Sequence, residues 1–247
     1  MASTGETGPF GTNPLGTPSV SGMSQAGTLA IPIPRPWSWR VPARWAVRSL
    51  VAFVAFLVVG NLVIQTVSLV ARSTMAAGRV DGVDGVDNLR TVDDVVWRGA
   101  NPTRAGYRAL AAAGVTVVVD LRAEDDAAEH DAFVEGLGLR VVHLPIRDGQ
   151  TPSSDDVDRF LAVVRESRGN VFVHCGAGVG RTGAMAAAYL MATDQAGSGS
   201  ALGKNLAVGP PSLEQIVFAA NGGDEPGGIV KALSRTLDGP RRIWHNL

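Results

Sequence analysis

The chain has 247 residues and a formal net charge of −1, a length that allows one domain of typical size plus additional segments. A near-neutral charge argues against nucleic acid as the main partner. The single cysteine, Cys175, excludes an internal disulfide framework.

The N-terminal segment has the composition of a disordered tail. Residues 1–45 are rich in Gly, Ser, Thr and Pro and contain few large apolar side chains. Such a segment cannot bury enough apolar surface to offset the entropy of ordering. We therefore predict a disordered tail over 1–45 that ends in a stiff, proline-rich entry to the next element.

A transmembrane helix is predicted over 46–72. No charge lies between Arg48 and Arg72, a run of 23 residues. As a helix this run measures about 34 Å at ~1.5 Å per residue, enough to cross a hydrocarbon core. Tryptophans that suit a membrane interface lie at Trp37, Trp39 and Trp45. A buried soluble helix and a cleaved signal peptide are the alternatives, and four polar residues weaken the second half: Asn61, Gln65, Thr66 and Ser68.

The charges on either side of this helix predict its orientation. Four arginines precede it, whereas Arg72 and Arg79 follow it and are succeeded by three aspartates. The positive-inside rule then places the N-terminal tail in the cytoplasm and the rest of this single-pass membrane protein outside. Residues 73–92, with the repeat Val-Asp-Gly, are predicted to be a flexible acidic linker.

From residue 93 to 240 the pattern alternates between strands and helices. Strands are predicted at 95–97, 115–121, 139–146 and 171–173, and helices at 101–114, 125–136, 153–167, 181–193, 211–220 and 229–237. Residues 196–203 are predicted to be a Gly/Ser loop. The last two helices are expected to turn their apolar residues inward: Leu213, Ile216 and Val217, then Ile229, Leu233 and Leu237. This alternation predicts an α/β fold with a central parallel-type sheet flanked by helices.

The segment from Asn170 to Gly183 predicts an anion site. A short apolar strand leads into a loop with three glycines, and a helix follows. A glycine-rich turn at a helix N-terminus directs backbone N–H groups inward, where they bind phosphate. The side chain of Arg181 adds a planar fork that can hold two phosphate oxygens.

Cys175 stands at the mouth of this predicted anion site. The same N–H groups and guanidinium would stabilise a thiolate, and a thiolate beside a bound phosphate is placed for covalent phosphoryl transfer. The hydroxyl of Thr182 could donate to the sulfur as it leaves. His174 is expected to steady the loop as a buried hydrogen-bonding partner, rather than to act as a base.

The motif His174-Cys175-x5-Arg181-Thr182-Gly183 resembles that of the cysteine-based protein tyrosine and dual-specificity phosphatases. The resemblance covers about residues 95–237 and is strongest at the loop. It implies a phosphoric monoester hydrolase that works through a cysteinyl-phosphate, without a metal or other cofactor. The phosphate would be held by Arg181 and by the backbone of the five residues Gly176, Ala177, Gly178, Val179 and Gly180.

The resemblance also implies a general acid on a loop before the cysteine. Asp148 fits, because it follows a strand at the same sheet edge, in the sequence Leu-Pro-Ile-Arg-Asp-Gly. Asp155 and Asp156 are alternatives, but their place in a first helical turn favours a role beside the helix dipole.

Four more residues near strands were assigned no catalytic role. Asp120 has Arg122 nearby to neutralise it, and His143 is expected to be a packed core residue. Arg122 and Arg98 could each touch the substrate phosphate or lie at the surface, and Arg122 could pair with Glu124 or Asp125. The sequence does not decide between these roles.

Other functions remain open at this point. One is a catalytically silent phosphate-binding module, and another is sulfur transfer or arsenate reduction on a similar loop. Within phosphatases, the loop places no basic residue between Cys175 and Arg181. That favours a phosphorylated protein, especially phosphotyrosine, over a phosphoinositide or another small phosphoester, and nucleic acid is not expected as a partner.

Overall fold

The computed structural model describes residues 43–75, 78, 80, 82–123 and 128–245. Most of the predicted tail, with Trp37 and Trp39, lies outside the described residues, as do Arg79, Glu124 and Asp125. The strands are β1 (Arg90–Thr91), β2 (Val96–Gly99), β3 (Val115–Arg122), β4 (Arg140–Ile146) and β5 (Asn170–His174). The helices are α1 (Ala43–Thr74), α2 (Arg104–Ala112), α3 (Ala128–Glu135), α4 (Ser154–Glu166), α5 (Gly180–Ala192), α6 (Ser198–Leu206), α7 (Leu213–Ala220) and α8 (Gly228–His245).

The strands form a mixed sheet in the order β1-β2-β5-β3-β4. Strands β2, β5, β3 and β4 run parallel, and β1 pairs antiparallel with β2 at the edge. The predicted α/β fold with a sheet flanked by helices is therefore confirmed, with β1 as an addition. Because β5 lies between β2 and β3, the loop that follows it opens at the middle of the sheet's carboxyl edge.

Alternating residues of the central strands build two cores, one on each face of the sheet. Val117, Val119 and Leu121 of β3 pack with Phe160 of α4 and Met185 of α5. Val118 of β3 points the other way and packs with Tyr107 and Leu110 of α2 and Val134 of α3. The period of two in a strand thus explains why an unbroken apolar run is buried on both sides.

Helix α1 divides into two parts with different surroundings. In the anchor half, residues 44–59, nearly every side chain is exposed, including Leu50 and Val54. In the docked half, residues 60–74, a stripe of Ile64, Ser68 and Ala71 is buried. The helix is long and apolar enough to cross a membrane, a statement that rests on length and composition alone.

Hydrogen bonds from two polar residues attach the docked half of α1 to the rest of the domain. The Ser68 hydroxyl donates to the Leu206 carbonyl of α6 at 2.8 Å, and the Asn61 amide donates to the Leu237 carbonyl of α8 at 3.3 Å. Two of the four residues that weakened the hydrophobic pattern therefore contact the rest of the domain. The structure does not match a buried soluble helix, because the anchor half is exposed.

Two element predictions were wrong, one about where a helix begins and one about a loop. Helix α2 begins after its cap Thr103, which accepts from the Gly106 N–H, rather than at Pro102. Residues 198–206 form α6 instead of a Gly/Ser loop, because Ala201 and Leu206 are buried against neighbouring helices. Low helix propensity was overridden by packing in this segment.

The last two helices also differ from the prediction in the faces they bury. Helix α7 buries Glu214, Gln215, Phe218 and Ala219 rather than Leu213, Ile216 and Val217. In α8, Leu237 is 5% exposed, but Ile229 is 80% and Leu233 is 41% exposed. The hydrophobic pattern located both helices but not their buried faces.

The acidic repeat packs where a flexible spacer was expected. Val86 and Leu89 are buried against the α2 side of the sheet. The Gly85 carbonyl accepts from the Thr103 N–H at 3.0 Å, and the Asp87 carbonyl accepts from the Ala100 N–H at 2.8 Å. The valines of the repeat supply apolar anchors, so this segment borders the loop after β5.

Candidate active site

Cys175 lies at the centre of the sheet's carboxyl edge, directly after β5, and its residue is 3% exposed. The register pairs His174 with Gly99 of β2 on one side and with Asp120 of β3 on the other. Asp148 follows β4, two residues beyond its last residue, Ile146. The fold therefore brings the predicted nucleophile and the predicted acid to one edge, as their strand-end positions required.

The first carbonyls of the catalytic loop, residues 175–180, are held from outside the loop. The Cys175 carbonyl lies 3.2 Å from Nδ1 of His174, and this nitrogen carries the proton because a carbonyl only accepts. The Gly176 carbonyl accepts from the backbone N–H of Asn101 at 2.9 Å. Both bonds fix the loop at the end that carries the sulfur.

The remaining carbonyls of the loop are held by side chains from distant parts of the sequence. Asn88 donates through Nδ2 to the Ala177 carbonyl at 3.0 Å. Arg98 donates through Nη2 to the carbonyls of Gly178 at 2.9 Å and Val179 at 3.2 Å. The backbone of Asn88 has φ of 54°, an uncommon conformation that asparagine tolerates better than most residues.

These contacts determine which way the N–H groups face. In a trans peptide the N–H points away from the preceding carbonyl. With carbonyls 175 to 179 bound on the outside, the N–H groups of residues 176 to 180 face the inside of the loop. The result is a ring of donors beside Cys175, which suits an anion.

Gly178 is required at the tightest point of the loop. Its φ is +70°, and a Cβ there would meet the backbone of Gly99 and Ala100. Both the left-handed conformation and the close approach exclude a side chain. The loop can therefore lie directly against the end of β2, within reach of the Arg98 side chain.

Arg98 is a supporting residue that the sequence left unassigned. It is 4% exposed and binds loop carbonyls, so it lies neither at the surface nor on the substrate side. Burial lowers the pKa of the guanidinium to about 10, while Cys175 opposes the shift and Arg90 adds to it. The available sequence signal was an arginine directly after the predicted strand 95–97, followed by Gly99 and Ala100.

Behind the loop, His174 belongs to a buried polar network. Its Nε2 lies 3.3 Å from the Tyr107 hydroxyl, and its ring stacks on Phe172 at 5.6 Å. Asp120 lies 4.0 Å away and is bound bidentately by Arg122. Burial by itself raises the pKa of the Asp120 carboxyl, but hydrogen bonds from Arg122 and the charge of His174 outweigh it, so the pKa is lowered.

Arg181 reaches from the first turn of α5 to the loop after β4. It is 6% exposed, and its Nη1 donates to the Ile146 carbonyl at 3.1 Å. Its Nη2 lies 3.5 Å from Oδ1 of Asp148, whose side chain is 63% exposed. The guanidinium is thus positioned by backbone next to the carboxylate, and that carboxylate stays accessible to solvent.

The acid loop, residues 147–152, is positioned by the N-terminus of α7. The Ser212 hydroxyl donates to the Gly149 carbonyl at 3.0 Å, and Gln215 donates through Nε2 to the Gln150 carbonyl at 2.9 Å. Gln215 also accepts from the Ser212 N–H at 3.0 Å. Sequence reasoning missed both residues, although a Ser-x-x-Gln capping box was the available signal.

The structure gives the remaining candidate residues different surroundings. Asp156 caps α4 through Ser153, as predicted for a helix-start carboxylate. His143 was predicted to be a packed core residue, but this was wrong: its side chain is 36% exposed and its Nε2 lies 2.8 Å from Asp131. Arg122 pairs with Asp120.

Thr182 is fully buried, and its hydroxyl has no hydrogen-bond partner within the described part of the chain.

Comparison with known proteins places this chain in a family. Residues 66–218, more than half of the chain, match the family model described as "DSP-PTPase phosphatase fused to NAD+ Kinase". The probable chloroplastic NAD kinase 2 of Oryza sativa subsp. japonica is 35% identical over 96 residues, which are 36% of this chain and 10% of that protein. The dual specificity protein phosphatase CDC14A of Homo sapiens is 50% identical over 44 residues, which are 18% of this chain and 7% of that protein.

A solved structure is also similar. The crystal structure of P. aeruginosa TpbA is 24% identical, covers 67% of this chain and 98% of its own, and has a TM-score of 0.49. The chain spans about a tenth of the length of the two NAD kinase relatives. On the match to more than half of its residues, the chain belongs to the DSP-PTPase family of phosphatases that is named for its fusion to NAD+ kinase.

Proposed function

We propose that the protein is a membrane-anchored phosphatase that hydrolyses phosphomonoesters through a cysteinyl-phosphate. One observation carries the proposal: carbonyls 175 to 179 are all bound on the outside, so the loop presents its N–H groups beside Cys175. Donors fixed before the substrate arrives need no reorganisation during the reaction. Membership of a phosphatase family supports the same chemistry.

In the first step the Cys175 thiolate attacks phosphorus and the ester P–O bond breaks. The electron pair goes to the leaving oxygen, which takes a proton from the Asp148 carboxyl. The N–H groups of the loop and Arg181 bind the three equatorial oxygens of the transferring group. The exposure of Asp148 supports its role as the acid, because the leaving group lies on the solvent side.

In the second step a water molecule attacks the phosphorus and the P–S bond breaks. Asp148, now ionised, accepts the proton of the water, and inorganic phosphate leaves. The sulfur departs as a thiolate, which the Thr182 hydroxyl stabilises by donating a hydrogen bond. The absence of another partner for this hydroxyl among the described residues supports that assignment.

The favoured substrate is a phosphorylated protein, with phosphotyrosine preferred. A groove of about 380 Å³ borders the acid loop, and its lining mixes Arg147, Lys231 and Arg235 with Asp156, Glu214 and Glu225. A headgroup with several phosphates calls for basic residues alone, whereas a peptide tolerates both signs. A small phosphoester or a phosphoinositide is the alternative outcome of a turnover panel on phosphopeptides and phospholipids.

Two variants test the chemistry. Cys175→Ser should lower turnover of an aryl phosphate by roughly 10⁴-fold or more, as loss of a nucleophile does, while phosphate binding is retained. Arg181→Lys should lower turnover by about 10³, because a point charge cannot replace the fork. Appreciable hydrolysis by the serine variant contradicts the covalent route, and no turnover by wild type indicates a silent phosphate-binding module.

We also propose that the anchor half of α1, which overlaps the predicted span 46–72, crosses the membrane, with the catalytic domain (93–240) outside the cytoplasm. The buried stripe of the docked half supports a narrower span than the sequence predicts. The anchor half together with Gly60 measures about 26 Å at ~1.5 Å per residue, near the lower limit for crossing, provided that the long side chains of Arg44 and Arg48 extend to the polar headgroups at its start. The docked half then joins the anchor rigidly to the catalytic domain.

A matched pair of variants tests this narrower span. Val54 and Val63 are 48% and 55% exposed, and they lie at similar distances from the centre of 46–72. Val54→Arg should reduce the carbonate-resistant membrane fraction, since a central charge costs about 3 kcal/mol, and Val63→Arg should not. Equal losses favour the longer span. Protection of the catalytic domain from protease added to intact cells would reverse the proposed orientation.

A further inference from the structure

A second cavity lies behind the catalytic loop, on the side of Arg98 that faces away from the active site. It has a volume of about 160 Å³ and lies between the β1–β2 edge, α5 and α6. A single water needs only about 15 Å³ by this kind of measure, so the cavity has room for a small ligand. The active-site residues Cys175, Arg181 and Asp148 do not line it.

The polar lining of this cavity is cationic. Arg90, Arg98 and Lys204 line it, together with the amide of Asn205, and its described lining includes no carboxylate. Arg98 and Arg90 are close enough for their charges to oppose each other. The side chains of Arg98 and Lys204 give this cavity a positive potential, which attracts an anion.

Two buried donors at the wall point to a ligand as well. Arg98 and Asn205 are 4% and 1% exposed. Within the described part of the chain, Nε of Arg98 and Nδ2 of Asn205 have no hydrogen-bond acceptor. Buried donors are nearly always satisfied in native proteins, so each of these requires an explanation. An oxyanion in the cavity offers acceptors to both with a small side-chain adjustment.

Arg98 connects the cavity to the catalytic loop by hydrogen bonds. Its Nη2 is shared between the Gly178 and Val179 carbonyls and Oδ1 of Asn205, at 2.9, 3.2 and 3.3 Å. The charge of Arg98 also interacts favourably with Cys175. An anion bound behind Arg98 would offset that charge and compete for its hydrogen bonds, and both effects weaken the catalytic loop.

We propose that this cavity is a second anion site, which binds a small free oxyanion such as inorganic phosphate and thereby lowers turnover. Lys204 is exposed where it lines the cavity, and among the described residues it makes no hydrogen bond or ion pair with the catalytic loop, so it attracts the anion without taking part in the reaction. Since phosphate is also the product of the proposed reaction, the site would allow product to inhibit the enzyme without occupying the active site.

Binding is tested on the full-length protein, independently of turnover. In an Arg181→Ala background, which removes the phosphate fork of the active site, inorganic phosphate should still raise the unfolding midpoint. Lys204→Gln should clearly reduce this rise. Lys231→Gln is the matched control because it changes the only other lysine of the chain, at a distance from the cavity. Equal behaviour of the two lysine variants would overturn the proposal.

Kinetics on the otherwise unmodified protein give a second readout, which rests on the proposed phosphatase activity. Phosphate should inhibit wild type in a mixed pattern, lowering apparent kcat by about fivefold at saturation, a common size for coupling between sites. Lys204→Gln should show purely competitive inhibition with unchanged basal activity, and Lys231→Gln should stay mixed. Purely competitive inhibition of wild type contradicts the second site. The proposal also fails if inorganic phosphate has no Lys204-dependent effect and phosphatidic acid vesicles do. That result would assign the site to a lipid headgroup.

Discussion

The catalytic loop and the acid loop face the same site but are held in opposite ways. Carbonyls 175 to 179 are bound by His174, directly before the loop, and by Asn88, Arg98 and Asn101 from the segment around β1 and β2. In the acid loop, the backbone bonds from outside that the structure describes go to the Gly149 and Gln150 carbonyls, both from the start of α7, and Asp148 remains 63% exposed.

The difference follows from what each loop is proposed to do. Donors for phosphate must point inward before the substrate binds, and this requires every carbonyl to be fixed on the outside. A proton donor must reach a leaving group that varies in shape, so it gains from an accessible side chain on a backbone held at two points. Variants in the two loops should therefore differ in how they depend on the leaving group.

Asp148→Asn is expected to have the largest effect of the three variants that follow. It should slow substrates with poor leaving groups by roughly 10²–10⁴, the usual contribution of a general acid. A substrate whose leaving group departs without a proton should be affected much less. The alkaline fall in the wild-type rate should also disappear in the variant, as measured by rate against pH.

The control for that variant is Asp155→Asn, which changes a carboxylate in the first turn of α4. It should leave the alkaline limb in place. The assignment of the acid fails if Asp148→Asn keeps this limb and an Asp155 or Asp156 variant removes it.

Gln215→Leu should act through the acid loop. It removes the bonds to the Gln150 carbonyl and to the Ser212 N–H, so Asp148 loses part of its backbone support. We expect roughly a tenfold loss, a magnitude common for supporting hydrogen bonds, confined to poor leaving groups. Gln195→Leu, at an exposed amide on Asp93, is the matched control. An equal loss on all substrates would instead mean that Gln215 only stabilises the fold.

Asn88→Gly should have the smallest effect of the three variants, and its effect should not depend on the leaving group. Glycine keeps the backbone at φ of 54° without strain, so the variant removes only the bond to the Ala177 carbonyl. One hydrogen bond is worth about 1 kcal/mol, which corresponds to a several-fold loss. The loss should be equal for good and poor leaving groups in kcat/KM assays. Greater sensitivity of poor leaving groups would remove the distinction between the two loops.

Much of the site could be predicted because its residues are adjacent in the sequence. The nucleophile, the glycines and Arg181 occupy one short segment whose spacing carries the chemistry, and Asp148 follows a recognisable strand. Asn88, Arg98, Ser212 and Gln215 could not be predicted in this way, because each acts on a loop 60 to 90 residues away. Their local sequence can indicate a helix start, as the Ser-x-x-Gln capping box of α7 does, but it does not show which distant loop they contact.

The same contrast applies to the fold. Apolar periodicity located the four parallel strands and most helices, because burial on a sheet face imposes that period directly. It missed α6, the packed Val-Asp-Gly repeat and the buried polar face of α7, where contacts with other elements overrode local preference.

The sequence by itself determined the strand order along the chain, the anion loop with its thiol, and an apolar helix before the domain. These depend on spacing within single elements, and the physical chemistry of each element is local. Only the tertiary structure decided that the second half of α1 docks on α6 and α8, and that Arg98 supports the catalytic loop from behind. It also placed cationic residues from β1, β2 and α6 around one cavity. Those outcomes depend on which surfaces from distant parts of the chain come into contact. Hydrogen bonding and burial across such contacts leave no regular spacing of residues in the sequence.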